Sequence, residues 1–249
     1  MKRYFIADLH LTPERPDITR AFLHFIKNTA NDADELYLLG DIFEAWIGDD
    51  GGIPAYQSVI DALQSASLTT ALYFQHGNRD FLVGDAFSTA TNCTLLAPKH
   101  IVNLPTGDAL LMHGDQLCTD DVEYQAFRSM VRNPEWQTDF LNKPINERLH
   151  IARQMRQASK KKGAEKSNDI MDVNPNSVRQ ALVDAQVELV IHGHTHRPAV
   201  HHNQIKADVG TRIVLGDWDK KLWYLVSDHQ ALTLIDEPIH PTDPTTLGT

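Results

Sequence analysis

Thiol chemistry is nearly absent from this chain. Of its 249 residues two are cysteines, Cys93 and Cys118, and no CxxC pair occurs. That excludes a disulfide scaffold and a thiolate zinc site. Long apolar runs are absent as well, since none approaches the ~18 residues a membrane-spanning helix needs. Positive charge is scarce, with a net charge of −10. General nucleic-acid binders carry a basic footprint, so no nucleic-acid partner is expected. The opening stretch, MKRYFIADLH, has only a short apolar run before Asp8, and no secretory leader is expected. These absences leave a cytoplasmic globular protein, 42% hydrophobic, that would meet a membrane only at its surface.

Histidine is abundant by contrast. The stretch VIHGHTHRPAVHH, Val190 to His202, holds five of the 13 histidines, and His192, His194 and His196 alternate. His201 and His202 follow Pro198 and read as surface or strand residues. Other chemically capable residues recur in one context. Short apolar runs end in polar residues in RYFIADLH, ELYLLGD, ALYFQHGNRD, ALLMHGD, VELVIHGHTH and TRIVLGDWD. Runs of four or five apolar residues bounded by Gly and Asp read as buried strands. Between them, Ile18, Phe22, Phe25 and Ile26 share a helical face. So do Tyr56, Val59, Ile60 and Leu63, with Pro54 as the expected helix start, and Val178, Ala181, Leu182 and Ala185. Strands alternating with helices give an α/β fold. The turns at Pro105–Asp108 and in LWYLVSDHQALTLID predict hairpins, hence mixed sheets. The Pro- and Thr-rich end, EPIHPTDPTTLGT, reads as loose.

One stretch is too long for a crossover. Tyr124, Phe127 and Val131 mark one helix, and Ile145, Leu149, Ala152 and Met155 another. Residues 120–172 are therefore read as a helical insertion, or lid, within a single domain spanning 1–249. From Arg148 to Lys166 it carries seven Lys or Arg and one acid, Glu165. Such a run is either a solvated helix face or a site for an anionic ligand or anionic lipid headgroups. Phe127, Met130, Val131, Trp136, Phe140, Leu141, Ile145 and Leu149 form either the core of this helical piece or an apolar trough.

The residues just after the strands point to a metal centre. Asp8 and His10 follow the first strand, Asp41 the second, Asn78 the third, His113 the fourth, and His194 and His196 the fifth. Ligand sites gather beyond the C-terminal ends of parallel strands. In extended chain, residues i and i+2 point the same way, so each D-x-H or H-x-H pair reaches one centre. Imidazole nitrogen with carboxylate and amide oxygen, and no thiolate, suits Mn²⁺, Fe, Zn²⁺, Co²⁺ or Ni²⁺. Seven ligands exceed what one tetrahedral ion takes, so two ions bridged by Asp41 fit better. Asp80 and Asp115 are candidates to orient these side chains from behind.

The blocks Asp8-Leu9-His10, Gly40-Asp41, Gly77-Asn78-Arg79-Asp80, His113-Gly114 and Gly193-His194-Thr195-His196 resemble the calcineurin-like metallophosphoesterases. The resemblance implies an αββα sandwich of two mixed β-sheets with a dinuclear site, usually of two Mn²⁺ ions, at its edge. It implies Asp8, His10 and His196 around one ion, Asn78, His113 and His194 around the other, and Asp41 between. Many members carry GNH where this chain has GNRD. Arginine stays charged at neutral pH and donates as a planar fork, so Arg79 suits a phosphate clamp and excludes general-acid catalysis from this position.

The stretches ADLHL, LGDIFEAWIGDD, GNRDFL, IMDVN and IHGHTHRPAVH resemble the branch of that family that cleaves the diphosphate of a lipid-linked UDP-sugar. That likeness implies water attack on the α-phosphorus. Asp41, Asn78, Arg79 and His113 would be catalytic, and Asn78, Arg79, Asp121, Tyr124, Ser159, Lys162, Lys166 and His194 would contact substrate. With a lipid substrate and the basic stretch from Arg148 to Lys166, peripheral attachment to the anionic cytoplasmic face of the inner membrane is expected, and the protein is expected to be a monomer. The competing expectation is a metal-dependent phosphodiesterase or phosphatase acting on soluble nucleotides.

Overall fold

The computed structural model describes residues 1–165, 172–229 and 231–239, with backbone alone for 160 and 162–165. The last ten residues of the expected loose end lie outside the described residues. In chain order the strands are β1 (Arg3–Ile6), β2 (Glu35–Leu38), β3 (Ala71–Phe74), β4 (Thr94–Leu95), β5 (His100–Leu104) and β6 (Gly107–Leu111). Then come β7 (Leu189–His192), β8 (Ala199–His201), β9 (Thr211–Val214), β10 (Lys221–Ser227) and β11 (Leu232–Pro238). They form a six-stranded sheet, β11-β10-β1-β2-β3-β4, and a five-stranded sheet, β5-β6-β7-β9-β8. Both sheets are mixed. β1, β2 and β3 run parallel, as do β6, β7 and β9, while β10 pairs antiparallel with β1 and β5 with β6.

The period of two along each strand builds the layers. Phe5 and Ala7, Tyr37 and Leu39, Ala109 and Leu111, and Ile191 share one apolar cluster, the seam between the sheets. Phe5 stacks on Tyr37 and Tyr37 on Tyr73, with centroids 4.8 and 4.7 Å apart. The alternate residues Tyr4, Ile6, Leu36 and Leu38 pack outward against Ile18, Phe22, Val59, Ile60 and Phe87. These come from α1 (Pro16–His24), α3 (Gln57–Ala66) and α4 (Asp85–Thr91), with α2 (Asp49–Ala55) between α1 and α3 in sequence. On the other side Leu110, Met112 and Val190 pack against Val178, Ala181 and Leu182. Helix, sheet, sheet, helix is thus the order that the alternation dictates.

Three helices lie between β6 and the last helix, α8 (Pro175–Ala185): α5 (Val122–Val131), α6 (Pro134–Leu141) and α7 (Ile145–Glu165). Local sequence sets their starts. Asn133 and Asn174 cap backbone N–H groups ahead of Pro134 and Pro175, and the Asp121 carboxylate caps α5 at Tyr124 N, 3.0 Å away. Asparagine followed by proline at the first helical position satisfies an orphan donor and presets the backbone. The sequence expectation misplaces one boundary: Pro54 sits inside α2, and α3 starts three residues later at Gln57. After α1, Phe25–Thr29 form a π-helical turn.

Candidate active site

All seven ligand candidates sit on loops that leave the C-terminal ends of β1, β2, β3, β6 and β7. The D-x-H and H-x-H spacings converge by a route other than extended chain. Asp8, His10, Asp41, His194 and His196 all have positive φ, between 51° and 69°. Aspartate and histidine enter this left-handed region more readily than most side chains, at a cost the surroundings must hold. The holding bonds are present. Asp8 N donates to Gly40 O, His10 N to Asp41 O and Leu11 N to Ile42 O, at 3.0, 3.0 and 2.9 Å. The β1 and β2 loops thus run on side by side past the sheet.

The donor atoms fall into two groups. In the first, His10 Nε2 faces His196 Nε2 at 3.1 Å, and Asp8 Oδ1 lies 3.5 Å from the same His196 nitrogen. Two nitrogens on one ion, each bonded at about 2.1 Å, sit about 3 Å apart when at right angles, so the facing rings match that spacing. Asp8 Oδ1 and His10 Nδ1 are buried with no hydrogen-bond partner, and a buried carboxylate oxygen left so is costly unless a cation satisfies it. In the second group Asn78 Oδ1 is flanked by His113 Nε2 at 3.0 Å and His194 Nδ1 at 2.8 Å. His113 Nδ1 lies 2.9 Å from the Leu39 carbonyl. A carbonyl only accepts, so Nδ1 carries the proton and the Nε2 lone pair faces the site. Asp8, His10 and His196 are within metal-holding reach of one another, and so are Asp8, Asp41 and His113. Asp8 is therefore the carboxylate shared by the two carboxylate–histidine clusters, while Asp41 leans toward His113, 3.6 Å away, and Arg79.

Protonation favours ligation. Burial, with the nearby Arg79 charge, pushes His10 down to about 4, and burial with the His113 charge does the same to His194. Neither imidazole holds a proton against a metal at neutral pH. Burial raises the Asp8 carboxyl, but the adjacent His196 ring and the surrounding imidazoles more than reverse this. His192 is fully buried, pushed down to about 3, and faces Gly193 O and Arg212 rather than the donor groups.

The two aspartates expected behind the site are both buried. Asp80 accepts from Gly77 N and Ile42 N, each at 2.8 Å, and so ties the β3 loop to the β2 loop. Burial and the neighbouring Asp41 push its carboxyl up to about 7. Asp115 accepts from Tyr124 Oη at 3.0 Å and Arg128 Nε at 2.6 Å, fastening α5 beside His113. One glycine requirement is absolute: a Cβ on Gly193 would run into the Asp8 carboxylate.

Arg79 joins this cluster. Its Nε is 3.2 Å from Asp41 Oδ2, and its Nη1 pairs with Glu44. It lines a cavity of about 690 Å³ together with Asp41, Asn78, His194 and His196. Trp46, Phe81, Phe127, Trp136, Phe140 and Met155 are among its apolar lining. Asp121, Tyr124 and Ser159 also line it. The Lys162 side chain and Lys166 lie outside the described residues. Of the expected trough, Phe127, Trp136 and Phe140 line the cavity. Val131 is buried without lining it, and Met130, Leu141, Ile145 and Leu149 are exposed elsewhere. Arg148 departs from the basic run read as solvent-facing or anion-binding. It is 3% exposed and donates to Ile47 O and to Asp50. Sequence reasoning missed Glu44, Arg132 and Asp217. Glu44 lies three residues after Asp41 in the same turn. Arg132 donates to Gly77 O at 2.8 Å, and Asp217 Oδ2 is 3.6 Å from His196 Nδ1.

The chain is 48% identical over 242 residues to a UDP-2,3-diacylglucosamine hydrolase of Tolumonas auensis, covering 96% of this chain and 98% of that one. It is 47% identical to one from Marinobacter nauticus, over 96% and 99% of the two chains. A third, from Chromohalobacter salexigens, is 50% identical over 88% and 89%. Among solved structures, a dimetal phosphatase from Danio rerio superposes with a TM-score of 0.51 at 10% identity, covering 96% of each chain, and so shares the fold. The calcineurin-like phosphoesterase profile matches residues 1–198. Together with the two donor groups, this membership points to a dinuclear metal site. The chain belongs to the calcineurin-like phosphoesterase family.

Proposed function

We propose that this protein hydrolyses the diphosphate of UDP-2,3-diacylglucosamine in lipid A biosynthesis. Water attacks the α-phosphorus, and UMP and 2,3-diacylglucosamine 1-phosphate are the products. The observation that carries the reading is one cavity with two chemistries: phosphate-handling groups at one end, an apolar wall continuous with them at the other. The relatives named above are UDP-2,3-diacylglucosamine hydrolases and match nearly end to end.

In this reading Asp8, His10 and His196 would hold one ion and Asn78, His113 and His194 the other; Asp41, grouped here with Asp8 and His113, would serve between them as the resemblance implies. The orphaned Asp8 oxygen and the paired ring nitrogens fit such ions, and the nitrogen–oxygen donor set suits Mn²⁺. Bound divalent ions supply an activated water and polarise a phosphoryl oxygen. The chain's own contribution is placement. Arg79 presents a guanidinium to the charge that grows on the phosphoryl oxygens. Asn78 and His194 reach substrate from the same edge. Asp121, Tyr124 and Ser159, which line the cavity, face the sugar-phosphate part; Lys162 and Lys166 are assigned to substrate by the resemblance alone. Trp46, Phe81, Trp136 and Phe140 cover acyl chain.

Residues 1–249 form one domain with 120–172 as its lid. The protein acts as a monomer on the cytoplasmic face of the inner membrane. No helix among the described residues is long and apolar enough to cross a membrane, while Val122, Met130, Leu141, Ile145 and Leu149 on α5–α7 are exposed. Flotation with anionic vesicles at low salt tests the attachment, and failure to float removes it. The substrate is tested by comparing UDP-2,3-diacylglucosamine with unacylated UDP-glucosamine. A preference of about 100-fold or more in kcat/KM for the acylated form is expected, since two buried chains contribute several kcal/mol. Equal or faster cleavage of soluble nucleotides would favour the phosphodiesterase alternative.

A further inference from the structure

One carboxylate at the cavity mouth serves three cationic or potentially cationic neighbours. Glu44 Oε2 pairs with Arg79 Nη1, and Glu44 Oε1 accepts from Arg156 Nε at 2.7 Å. The same Oε2 lies 3.7 Å from His10 Nδ1. Glu44 is held from behind, with its backbone N donating to Leu11 O at 2.9 Å on the parallel β1 loop. Its neighbours belong to different parts of the chain: His10 to the β1 loop, Arg79 to the β3 loop, Arg156 to the middle of α7.

We propose that Glu44 is a positioning residue. It brackets Arg79 and Arg156 side by side at the phosphate end of the cavity, and it orients His10 through Nδ1. Two guanidinium groups repel unless an anion lies between them. Arg156, with 43% of its side chain exposed, would otherwise turn to solvent. Each guanidinium spends an edge on Glu44 and keeps further N–H donors for an oxyanion, because arginine carries five. The His10 argument is separate. A ring that ligates through Nε2 needs an acceptor at Nδ1 to fix its tautomer and plane. His10 Nδ1 is buried without a hydrogen-bond partner, and Glu44 Oε2 is the carboxylate oxygen that faces it, 3.7 Å away. Glu44 thus joins His10, Arg79 and the α7 helix through one side chain.

Glu44→Gln tests this, since it keeps the shape and removes the charge. Calorimetric titration with Mn²⁺ alone is expected to show one of two sites weakened about 10-fold, the scale of losses when a ligand's outer partner is removed. In kinetics, kcat/KM is expected to fall about 10- to 100-fold, mainly through KM. The losses in Glu44→Gln and Arg156→Ala should not multiply in the double variant, because both break one bracket. Glu44→Asp should recover part of both effects. Wild-type Mn²⁺ affinity in Glu44→Gln removes the His10 half, losses that multiply remove the arginine half, and both together overturn the proposal. If Glu44→Gln fails to fold, Glu44→Asp against Arg156→Ala gives the same cycle. The arginine half rests on the diphosphate reading, so UDP-2,3-diacylglucosamine and bis(p-nitrophenyl) phosphate are run in parallel. Wild type inactive on the first and active on the second overturns that reading and still leaves the cycle measurable on the second.

Discussion

The strand-end edge and the three helices beside it are held by different physics. At the edge, five ligand candidates are locked in left-handed backbone by inter-loop hydrogen bonds, a buried Asp80 and glycines that admit no Cβ. Over α5–α7 few side chains are buried, and much of the apolar surface faces out or into the cavity. Discrete polar fasteners do the holding there: Arg128 to Asp115, Arg132 to Gly77 O, and Arg148 to Asp50 and Ile47 O. Geometry within a few tenths of an ångström is what metal chemistry demands, and a long amphipathic substrate needs a wall it can enter. One molecule supplies both by making the first region dense and the second fastened at points.

Perturbing each region in turn tests the contrast. The largest effect belongs to the edge. Asp41→Asn should lower kcat by about 10³-fold or more, with the melting temperature little changed, as steady-state rates and a thermal scan would show. Gly193→Ala should come close to it, because the added methyl displaces the Asp8 carboxylate. Mn²⁺ affinity read without substrate should fall with activity, and unchanged affinity would mean the close approach is idle. At the fastened region, Arg148→Ala strands the Ile47 carbonyl and should cost about 2–4 kcal/mol. Hydrogen exchange should quicken along α7 first, with KM rising more than kcat falls.

The smallest effect is a pH dependence. The Arg148 hydrogen bond holds the Asp50 carboxyl below its ordinary 3.8. A depressed carboxyl stabilises the fold above its ordinary pKa, and that contribution is lost as pH falls through the lowered value. The melting-temperature gap between wild type and Asp50→Asn should therefore be full above the ordinary carboxylate pKa and close as pH falls below it through the depressed value. A gap that persists in acid would assign the clamp to packing instead.

Legibility in the sequence followed the same division. Continuous apolar runs along β1, β2, β6 and β7 betray strands buried on both faces, while which layer each residue packs into appears only in the fold. The ligand candidates are visible because each ends an apolar run. The left-handed backbone that aims them is invisible, since Asp and His are permitted there without being required. Around the cavity, Phe127, Trp136 and Phe140 are legible as apolar lid residues open to either reading; they line the cavity, and Phe140 also belongs to the main apolar cluster. Trp46 and Phe81 are missed because they come from other segments and meet the lid only in the fold. Arg148 illustrates the limit: within a basic run its charge looks solvated or anion-binding, and only the approach of the Trp46–Asp50 turn shows that it is buried.

The central claim is that the two donor groups and the apolar cavity serve one reaction on a lipid-linked diphosphate. Its most direct test is UMP release from UDP-2,3-diacylglucosamine with Mn²⁺, beside a chelated sample and the His194→Ala variant. The account predicts UMP only where metal and His194 are both present. UMP released equally by the chelated enzyme would contradict the metal site, and an untouched lipid beside a cleaved soluble phosphodiester would contradict the substrate.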